Sequence, residues 1–397
     1  MTGRLSFALA LASVTALPPL LVAQGNVDSG GFVVCLGADT LAVERYTRSA
    51  TTLESEIILR APAARRVTYT AGLDSLGEVR SFDLAMDALV PGPGAPKPAR
   101  GTLWFRGDTA DVSLTVDDAT RTIKIAARSG SMPLAAFSHA LVEQAIIQAR
   151  RSGRDSVAFD WVGVGASKAY PAYVTRRPYV TRRHDGSVVV GFFDAPALAT
   201  VDERGRLVTL DGRATTAKVE VQRVQAPDLA HFARSFVAAE TAWGPLGQLS
   251  PRDTARAEIG GAQLMVDYGR PRKRGRVIFG QVVPWNRVWR TGANAATQLS
   301  TDVPITVRGQ TIPAGRYSLW SILTPRGGTL IVNRHTGQWG TEYDPGQDVA
   351  RLDLTRVSLP EPVEPFTFAI DPVERGGVLR MSWDSTSYLV PFTIARP

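Results

Sequence analysis

The residues best suited to binding a ligand lie in the last third of the chain. They are arginines, aromatic residues and one asparagine: Tyr268, Arg270, Arg274, Arg276, Trp285, Arg290, Asn294, Trp339 and Tyr343. Guanidinium groups bind carboxylate, sulfate or phosphate oxygens through paired hydrogen bonds. Aromatic faces stack on rings or receive cations, and an asparagine amide both donates and accepts. Gathered at one end of a β-sandwich, these side chains would form a cleft for an anionic or sugar-like small molecule.

The same residues also have a structural interpretation. Tryptophans in a β-sandwich belong mostly to its core, and arginines beside glycine often bond to loop carbonyls. The Arg274-Gly275-Arg276 turn can equally be a solvated loop. The ligand-binding assignment of the nine residues is therefore a hypothesis about where they meet in the fold.

Recognisable patterns for metal binding and catalysis are missing from the sequence. The four histidines, His139, His184, His231 and His335, occur singly and without the spacing of a zinc site. No carboxylate series resembles a calcium loop, and no Gly-x-Ser-x-Gly nucleophile elbow is present. We therefore expect no metal and no cofactor, and we assign no catalytic residue.

The positive charge of the protein is concentrated in one loop. The 397 residues carry a formal net charge of +8. Residues 251–397 contain 18 Lys or Arg and 13 Asp or Glu, and five of those cations fall within residues 270–276. A nucleic-acid-binding protein spreads its basic residues over a face or interleaves them with aromatic residues. We therefore expect no nucleic-acid partner.

The first two thirds of the chain have the pattern of antiparallel strands around one helix. Residues 111–117 alternate apolar and polar side chains, and turn signals separate similar runs at short intervals. Residues 133–151 predict the helix, with Ser131 as its cap and an apolar surface over more than half its circumference. The expected arrangement is a curved, half-barrel-like sheet, similar in fold to periplasmic lipoprotein carriers. Such a sheet can hold an apolar ligand, but the bulky residues Phe137, Leu141, Ile146 and Ile147 favour a helix that fills its concave side.

The predicted organisation is mainly β, with two domains. Residues 26–225 form the antiparallel domain, residues 226–250 a helical connector, and residues 251–397 a β-sandwich. Short strands with Gly and Pro turns at regular spacing favour the sandwich.

The first residues predict export. Residues 1–24 combine a basic start at Arg4, an apolar run and small residues near Ala23, as a secretory signal peptide does. The Pro18-Pro19 pair would break a membrane-spanning helix. No later stretch is long and apolar enough to span a bilayer. We therefore expect a periplasmic or secreted protein with no transmembrane segment after signal removal.

The last third also carries a series of short blocks rich in glycine, arginine and aromatic residues. They are residues 266–271, 274–280, 283–285, 288–294, 313–319, 333 with 338–340, and 383–386. In this order they resemble the signature of the bacterial domain of unknown function 2911 family. In that family the Gly-Ala-Asn block often continues with a glutamate, and this sequence has Ala295 there. The resemblance implies export in bacteria and a β-sandwich, but no reaction.

Three functional hypotheses follow. The first is a non-enzymatic binding protein of the bacterial envelope that uses the arginines and tryptophans of the C-terminal sandwich. The second is a glycan-acting hydrolase or lyase, which needs a carboxylate such as Asp267 or Asp384 directed into the cleft. The third is a scaffold or assembly subunit whose basic loop docks on an acidic protein partner or an anionic lipid.

Overall fold

The computed structural model describes residues 27–167, 170–175, 179–192 and 195–394. The predicted signal peptide at residues 1–24 lies outside the described residues. The fold is mainly β, as the sequence predicted, with a large N-terminal antiparallel sheet and a separate C-terminal sheet. Its helices are α1 (His139–Arg151), α2 (Leu229–Trp243) and a short 3-10 helix (Pro345–Gln347).

The N-terminal sheet has fourteen strands in its described part. Its strands, in chain order, are β1 (Asp28–Leu36), β2 (Asp39–Arg48), β3 (Thr52–Leu59), β4 (Arg65–Leu73), β5 (Val79–Ala88), β6 (Ala99–Arg106), β7 (Thr109–Val116), β8 (Ala119–Ala126), β10 (Ser156–Ala158), β13 (Tyr179–Arg182), β14 (Val188–Phe192), β15 (Ala195–Val201), β16 (Leu207–Asp211) and β17 (Glu220–Val224). They lie in the order β10-β13-β14-β15-β16-β17-β1-β2-β3-β4-β5-β6-β7-β8. A small sheet adds β9 (Met132–Leu134), β11 (Trp161–Ser167) and β12 (Tyr170–Thr175).

The N-terminal sheet curves around α1. Alternation along β7 buries Val112 and Leu114, because successive side chains of a strand point to opposite faces. These residues share one hydrophobic core with Leu141, Ala145 and Ile146 of α1. A helix that is apolar on most sides is stable only when it is enclosed in this way. The half-barrel-like sheet around one helix, predicted from the sequence, is thus confirmed.

The helix begins six residues later than predicted. Residues 132–134 form β9, which pairs in parallel with β11, so the start at residue 133 and the cap at Ser131 were wrong. Phe137 has a positive φ of 60°, which ends the extended segment. Ser138 then caps α1, because its side chain accepts a hydrogen bond from the backbone N–H of Leu141. Pairing with a strand about thirty residues away overrides the local helical signal.

The segment between the two sheets holds α2 against the outside of the N-terminal sheet. Asp228 caps α2 by accepting a hydrogen bond from the backbone N–H of His231 at 2.9 Å. Leu229 and Phe236 bury their side chains against Val43 and Ile58 of β2 and β3. Beyond the helix, the partly buried Leu246 and Leu249 pack on the N-terminal core.

The C-terminal sheet has ten strands in its described part. They are β18 (Arg252–Ile259), β19 (Ala262–Gly269), β20 (Val288–Trp289), β21 (Thr297–Thr301), β22 (Ile305–Val307), β23 (Gln310–Ile312), β24 (Gly315–Thr324), β25 (Gly327–Asn333), β26 (Asp348–Val373) and β27 (Gly376–Ile394). The main path runs β18-β19-β21-β24-β25-β26-β27-β22-β23, and β20 pairs with β24.

One sheet forms both layers of the predicted sandwich by folding over through its longest hairpin. β26 pairs with β25 through its first residues and with β27 from Thr355 onward. β18, at the start of the sheet, also packs against β26. Leu264, Leu352 and Phe368 consequently share one core, which is separate from the N-terminal core. In the described part of the chain, neither helix is long and apolar enough to cross a membrane.

Candidate functional site

A cavity of about 960 Å³ lies between the two sheets. This volume is in the range of small-molecule binding sites, which is roughly 300–1,000 Å³. The first turn of α1, the loop between β16 and β17, and the connector form one side of its wall. Loops of the C-terminal sheet form the other side, so neither sheet alone makes the site.

The N-terminal wall is mostly apolar. It combines Leu134, Phe137 and Val142 with Trp161, which is 3% exposed. We predicted that α1 fills the concave side of the sheet. The buried helix does occupy it, but its first turn leaves open space at the boundary with the C-terminal sheet.

The position of that first turn is fixed by a buried carboxylate, Glu44 of β2. Glu44 accepts hydrogen bonds from the backbone N–H groups of His139 at 2.6 Å and Ala140 at 3.0 Å. It also accepts from the hydroxyls of Ser55 and Ser138, each at 2.8 Å. A carboxylate is favourable at a helix N-terminus because it meets the positive end of the helix dipole. Burial nevertheless raises the pKa of the Glu44 carboxyl.

A second buried carboxylate, Glu143 of α1, anchors the helix to the strands. It accepts hydrogen bonds from Arg48 at 2.7 Å, from Tyr46 at 2.9 Å and from the backbone N–H of Leu207 at 2.7 Å. Its other partner is the guanidinium group of Arg223. Glu143 has no exposed surface, so its charge is balanced by protein groups. Glu44 and Glu143 together fix the position and the rotation of α1 relative to the cavity.

His139 brings a neutral imidazole to the cavity wall. Its Nδ1 lies 3.0 Å from the carbonyl oxygen of Phe137. Because a carbonyl only accepts, we assign the proton to Nδ1 and the acceptor role to Nε2. Burial lowers the pKa of His139 to about 4. The ring is therefore uncharged at neutral pH.

Replacing His139 with Gln should flatten the dependence of stability on pH. Because the folded-state pKa is about 4 against 6.5 for the free group, the native state binds fewer protons than the unfolded state between these values. Its contribution to stability is present above pH 6.5 and lost as pH falls toward 4, by up to about 3 kcal/mol. Urea unfolding of wild type and His139→Gln from pH 7.5 to 4 measures the difference.

The comparison of wild type with His139→Gln isolates the contribution of His139 to the pH dependence of stability. Glu44 acts in the opposite direction, since its raised pKa favours the native state as pH falls, but Glu44 is present in both proteins. The exposed helix residue His231 provides the control, and His231→Gln should retain the wild-type profile. Parallel curves for wild type and His139→Gln would contradict the prediction.

Tryptophans dominate the C-terminal wall. Five of the eight tryptophans of the chain line the cavity, and four of these come from the C-terminal part: Trp289, Trp320, Trp339 and Trp383. Trp289 stacks on Trp383 with ring centres 6.3 Å apart and an interplanar angle of 16°. Trp339 is 46% exposed at the rim. The wall is thus a set of large apolar faces held in place by ring contacts.

Tyr343 extends this aromatic wall with a polar end. Its ring packs on Trp320 at 5.1 Å between centres. Its hydroxyl donates to Asp348 at 2.8 Å and accepts from Arg351 at 3.1 Å. Burial and the carboxylate of Asp348 raise the pKa of Tyr343 to about 12. The phenol is therefore neutral, and its orientation is fixed.

Three of the five cations of the basic loop, residues 270–276, form ion pairs with carboxylates of the same chain. Arg274, only 8% exposed, forms an ion pair with Asp39 at the start of β2. Lys273 bonds to Asp384 at 2.6 Å, and the partly exposed Arg270 lies 3.1 Å from Asp253. The acidic partners of these three cations are thus in the same chain, and Arg274 joins the two sheets across the cavity boundary.

The turn before Asp39 is shaped to receive that loop. Gly37 has a φ of +61°, and a Cβ built on it would lie 2.1 Å from the carbonyl oxygen of Arg274. The backbone N–H of Ala38 donates to this same oxygen at 2.9 Å. Only glycine combines that conformation with such a close approach. The two sheets are therefore joined by backbone contact as well as by charge.

The structure brings five of the nine predicted residues together at the cavity. Those that line it are Arg276, Arg290, Asn294, Trp339 and Tyr343. The other four lie elsewhere. Tyr268 is buried against Phe366 and Phe368, and Trp285 stacks on Phe279 at 5.8 Å. Arg270 and Arg274 are in the ion pairs described above.

Sequence reasoning missed much of the cavity. Trp289 and Trp383 stand in the family-like blocks at residues 288–294 and 383–386, so those blocks contained a usable signal. Trp161, Phe137 and His139 could not have been assigned to the same site, because they precede its C-terminal residues by more than a hundred positions and belong to the N-terminal part of the fold.

The described lining contains no Asp or Glu. The two carboxylates named as candidates for the glycan-hydrolase hypothesis do not line the cavity. Asp267 pairs with Arg252 at 2.9 Å, and Asp384 pairs with Lys273. Over the described residues, no three His, Cys, Asp or Glu side chains are grouped so as to hold a metal ion.

Comparison with known proteins finds a family model that matches the C-terminal part of the chain. No curated protein matches the chain. Two solved structures are similar to parts of it: a DUF1089 family protein from Pseudomonas aeruginosa (15% identity, 43% of this chain and 90% of that chain, TM-score 0.31), and a β-barrel-like protein of domain of unknown function DUF1849 from Brucella abortus (13%, 50% and 97%, TM-score 0.31). Residues 250–392 match the family model described as protein of unknown function DUF2911, which confirms the resemblance of the C-terminal blocks to that family.

Proposed function

We propose that this protein is an exported bacterial envelope protein that binds a small, largely apolar molecule in the cavity between its two sheets. The binding hypothesis formed from the sequence is kept, but the site is shared by both sheets and is not confined to the C-terminal one. The periplasmic or secreted location is part of the proposal and rests on the signal-peptide pattern of residues 1–24.

The observation that carries the proposal is the composition of the cavity wall. Five tryptophans with Leu134, Phe137 and Val142 surround a volume of about 960 Å³. This is the volume of about thirty water molecules in the liquid. When an apolar molecule displaces water from apolar walls, the buried apolar surface contributes roughly 25 cal/mol per Å² to the binding free energy. A ligand with a substantial apolar surface is therefore the best match.

Binding is favoured over catalysis by the partners of the polar side chains. Ser138 bonds to Glu44 and Tyr69, and His139 bonds to the Phe137 carbonyl. These groups are committed to holding the first turn of α1 in place. A general acid–base mechanism needs a titrating group within hydrogen-bond reach of the substrate, and the described lining has no carboxylate for that role.

Displacement of a neutral apolar dye tests the proposal. N-phenyl-1-naphthylamine should bind the purified protein saturably and be displaced by 1-dodecanol, and 1-dodecanol should raise the melting temperature. Ala217→Trp adds a large side chain at an exposed position of the cavity wall. We expect it to weaken dye binding at least about tenfold, or about 1.4 kcal/mol.

The matched control is Ala230→Trp, which makes the same change on the exposed side of α2, away from the cavity. It should bind the dye as wild type does. Absence of saturable binding in correctly folded protein would refute the proposal. Equal affinities of the two tryptophan variants would place the dye outside the cavity, with the same consequence.

A further inference from the structure

We propose that the molecule held in the cavity is an amphiphile with an oxyanion head, a carboxylate or a phosphate, which Arg276 binds while the apolar part lies against the N-terminal wall. This inference rests on the proposed function and adds the chemical class and the orientation of its ligand. Four positive groups of the described chain reach the cavity: the N-terminus of α1, Lys218, Arg276 and Arg290. Lys218 donates to the carbonyl of Arg213 at 2.9 Å, and both Lys218 and Arg290 have further interactions within the chain. The inference follows from comparing the other two.

The first positive group is the N-terminus of α1, and it is already neutralised. The free N–H groups of a first helical turn attract anions. Here the backbone N–H groups of His139 and Ala140 donate to the Glu44 carboxylate. A ligand anion at this position would meet a buried carboxylate. The α1 side of the cavity therefore suits the apolar part of the ligand.

The second positive group is the guanidinium of Arg276, which reaches the cavity from the C-terminal part. Its Nε donates to the carbonyl of Lys273 at 3.0 Å, and its Nη2 donates to the carbonyl of Arg272 at 2.6 Å. Both acceptors are neutral backbone oxygens. Among the described residues, no carboxylate lies within ion-pair distance of Arg276, and its hydrogen bonds are those of Nε and Nη2. One side of the guanidinium is thus held rigidly, and its charge is not balanced by an ion pair.

The electrostatic surroundings of Arg276 favour an added anion. Burial and the neighbouring charge of Arg274 lower the pKa of Arg276, and they outweigh the opposite effect of the Glu364 and Asp39 carboxylates. Both effects oppose its positive charge, and a bound oxyanion would relieve them. The nearest carboxylates are engaged elsewhere, since Asp39 pairs with Arg274 and Glu364 accepts the backbone N–H of Arg274. Charge-assisted bonds to a fixed guanidinium are strong and directional.

The apolar lining residues indicate the chemistry of the rest of the ligand. Trp289 and Trp383 line the cavity from the C-terminal part, as Arg276 does, and Phe137 and Val142 line it from the N-terminal part. A molecule with one charged end and one apolar body satisfies both ends at once. A neutral apolar molecule would leave Arg276 without an anionic partner, and a small hydrophilic anion would leave the apolar wall in contact with water.

Three ligands with the same chain test the inference: dodecanoic acid, dodecyl phosphate and 1-dodecanol. Each displaces N-phenyl-1-naphthylamine from wild type and from Arg276→Gln, which keeps a hydrogen-bonding amide and removes the charge. In wild type we expect at least one of the two anions to bind ten or more times more tightly than the alcohol. In Arg276→Gln this preference should disappear, while the affinity for the alcohol changes less than threefold. Which anion is preferred identifies the head group.

Controls separate this inference from the proposed function. Arg272→Gln removes a neighbouring exposed arginine that does not line the cavity, and it should keep the anion preference. Equal affinity of wild type for the alcohol and both anions would overturn the inference and leave the proposed function standing. If none of the compounds binds, the proposed function itself fails. If Arg276→Gln also loses alcohol binding, Arg276→Lys serves as the second variant. An anion preference retained by Arg276→Lys supports the inference. Loss of that preference in Arg276→Lys, with alcohol binding intact, overturns it.

Discussion

Replacing Glu143 with Gln should lower the melting temperature of the N-terminal sheet by about 10 °C. Glu143 has no exposed surface and balances Arg48 and Arg223, whose side chains are 9% and 15% exposed. Removing one partner of a buried ion pair costs about 3–5 kcal/mol, because the remaining charge stays desolvated. For a domain of about 200 residues, each kcal/mol shifts the melting temperature by about 2–4 °C.

Differential scanning calorimetry of the purified protein measures the effect. The matched control is Asp87→Asn, which makes the same type of change in an exposed ion pair with Arg100. Exposed pairs contribute roughly 0–1 kcal/mol, so the control should shift the transition by no more than about 4 °C. A shift of that size for Glu143→Gln would mean that water or another group solvates the two arginines, and that Glu143 does not fix the height of α1.

The N-terminal fold was largely predictable from the sequence because its signals are local. Alternation along β7 and the long apolar stretch of α1 depend on neighbours only a few residues away. The start of α1 was wrong because it depends on pairing between β9 and β11, which no local pattern encodes. The buried ion pairs of Glu143 could have been predicted from the sequence, because a glutamate among the apolar residues of a buried helix needs a buried cation.

The candidate site was only partly predictable, for a related reason. Residue type indicates what a side chain can bind but not which partner reaches it first. Arg274 and Arg276 stand two positions apart, and yet Arg274 is held by Asp39 whereas Arg276 faces the cavity. Asp39 lies 235 positions from Arg274 in the chain. The basic loop that suggested a separate acidic partner therefore finds an acidic partner within its own protein, which weakens the scaffold hypothesis.

The joint between the sheets gives the second large expected effect. Asp39→Asn should split thermal unfolding into two transitions and weaken ligand binding. The change leaves the buried guanidinium of Arg274 without its carboxylate, at a cost of about 2–4 kcal/mol, because Asp39 is itself partly exposed. This cost falls on the contact between the sheets, and each sheet keeps its own hydrophobic core. The N-terminal and C-terminal parts should then melt separately.

Calorimetry shows whether the transition divides, and dye titration shows whether the cavity is affected. Arg60→Gln is the control, since Arg60 also pairs with Asp39, at 3.3 Å, but belongs to the same sheet and is partly exposed. It should retain the unfolding profile and dye affinity of wild type. Because both sheets contribute to the cavity wall, weakening their joint must weaken binding if the ligand contacts both. Asp39→Asn with a divided transition but unchanged dye affinity would place the ligand on one sheet alone, and an undivided transition would show that the backbone contact at Gly37 and Ala38 suffices to join them.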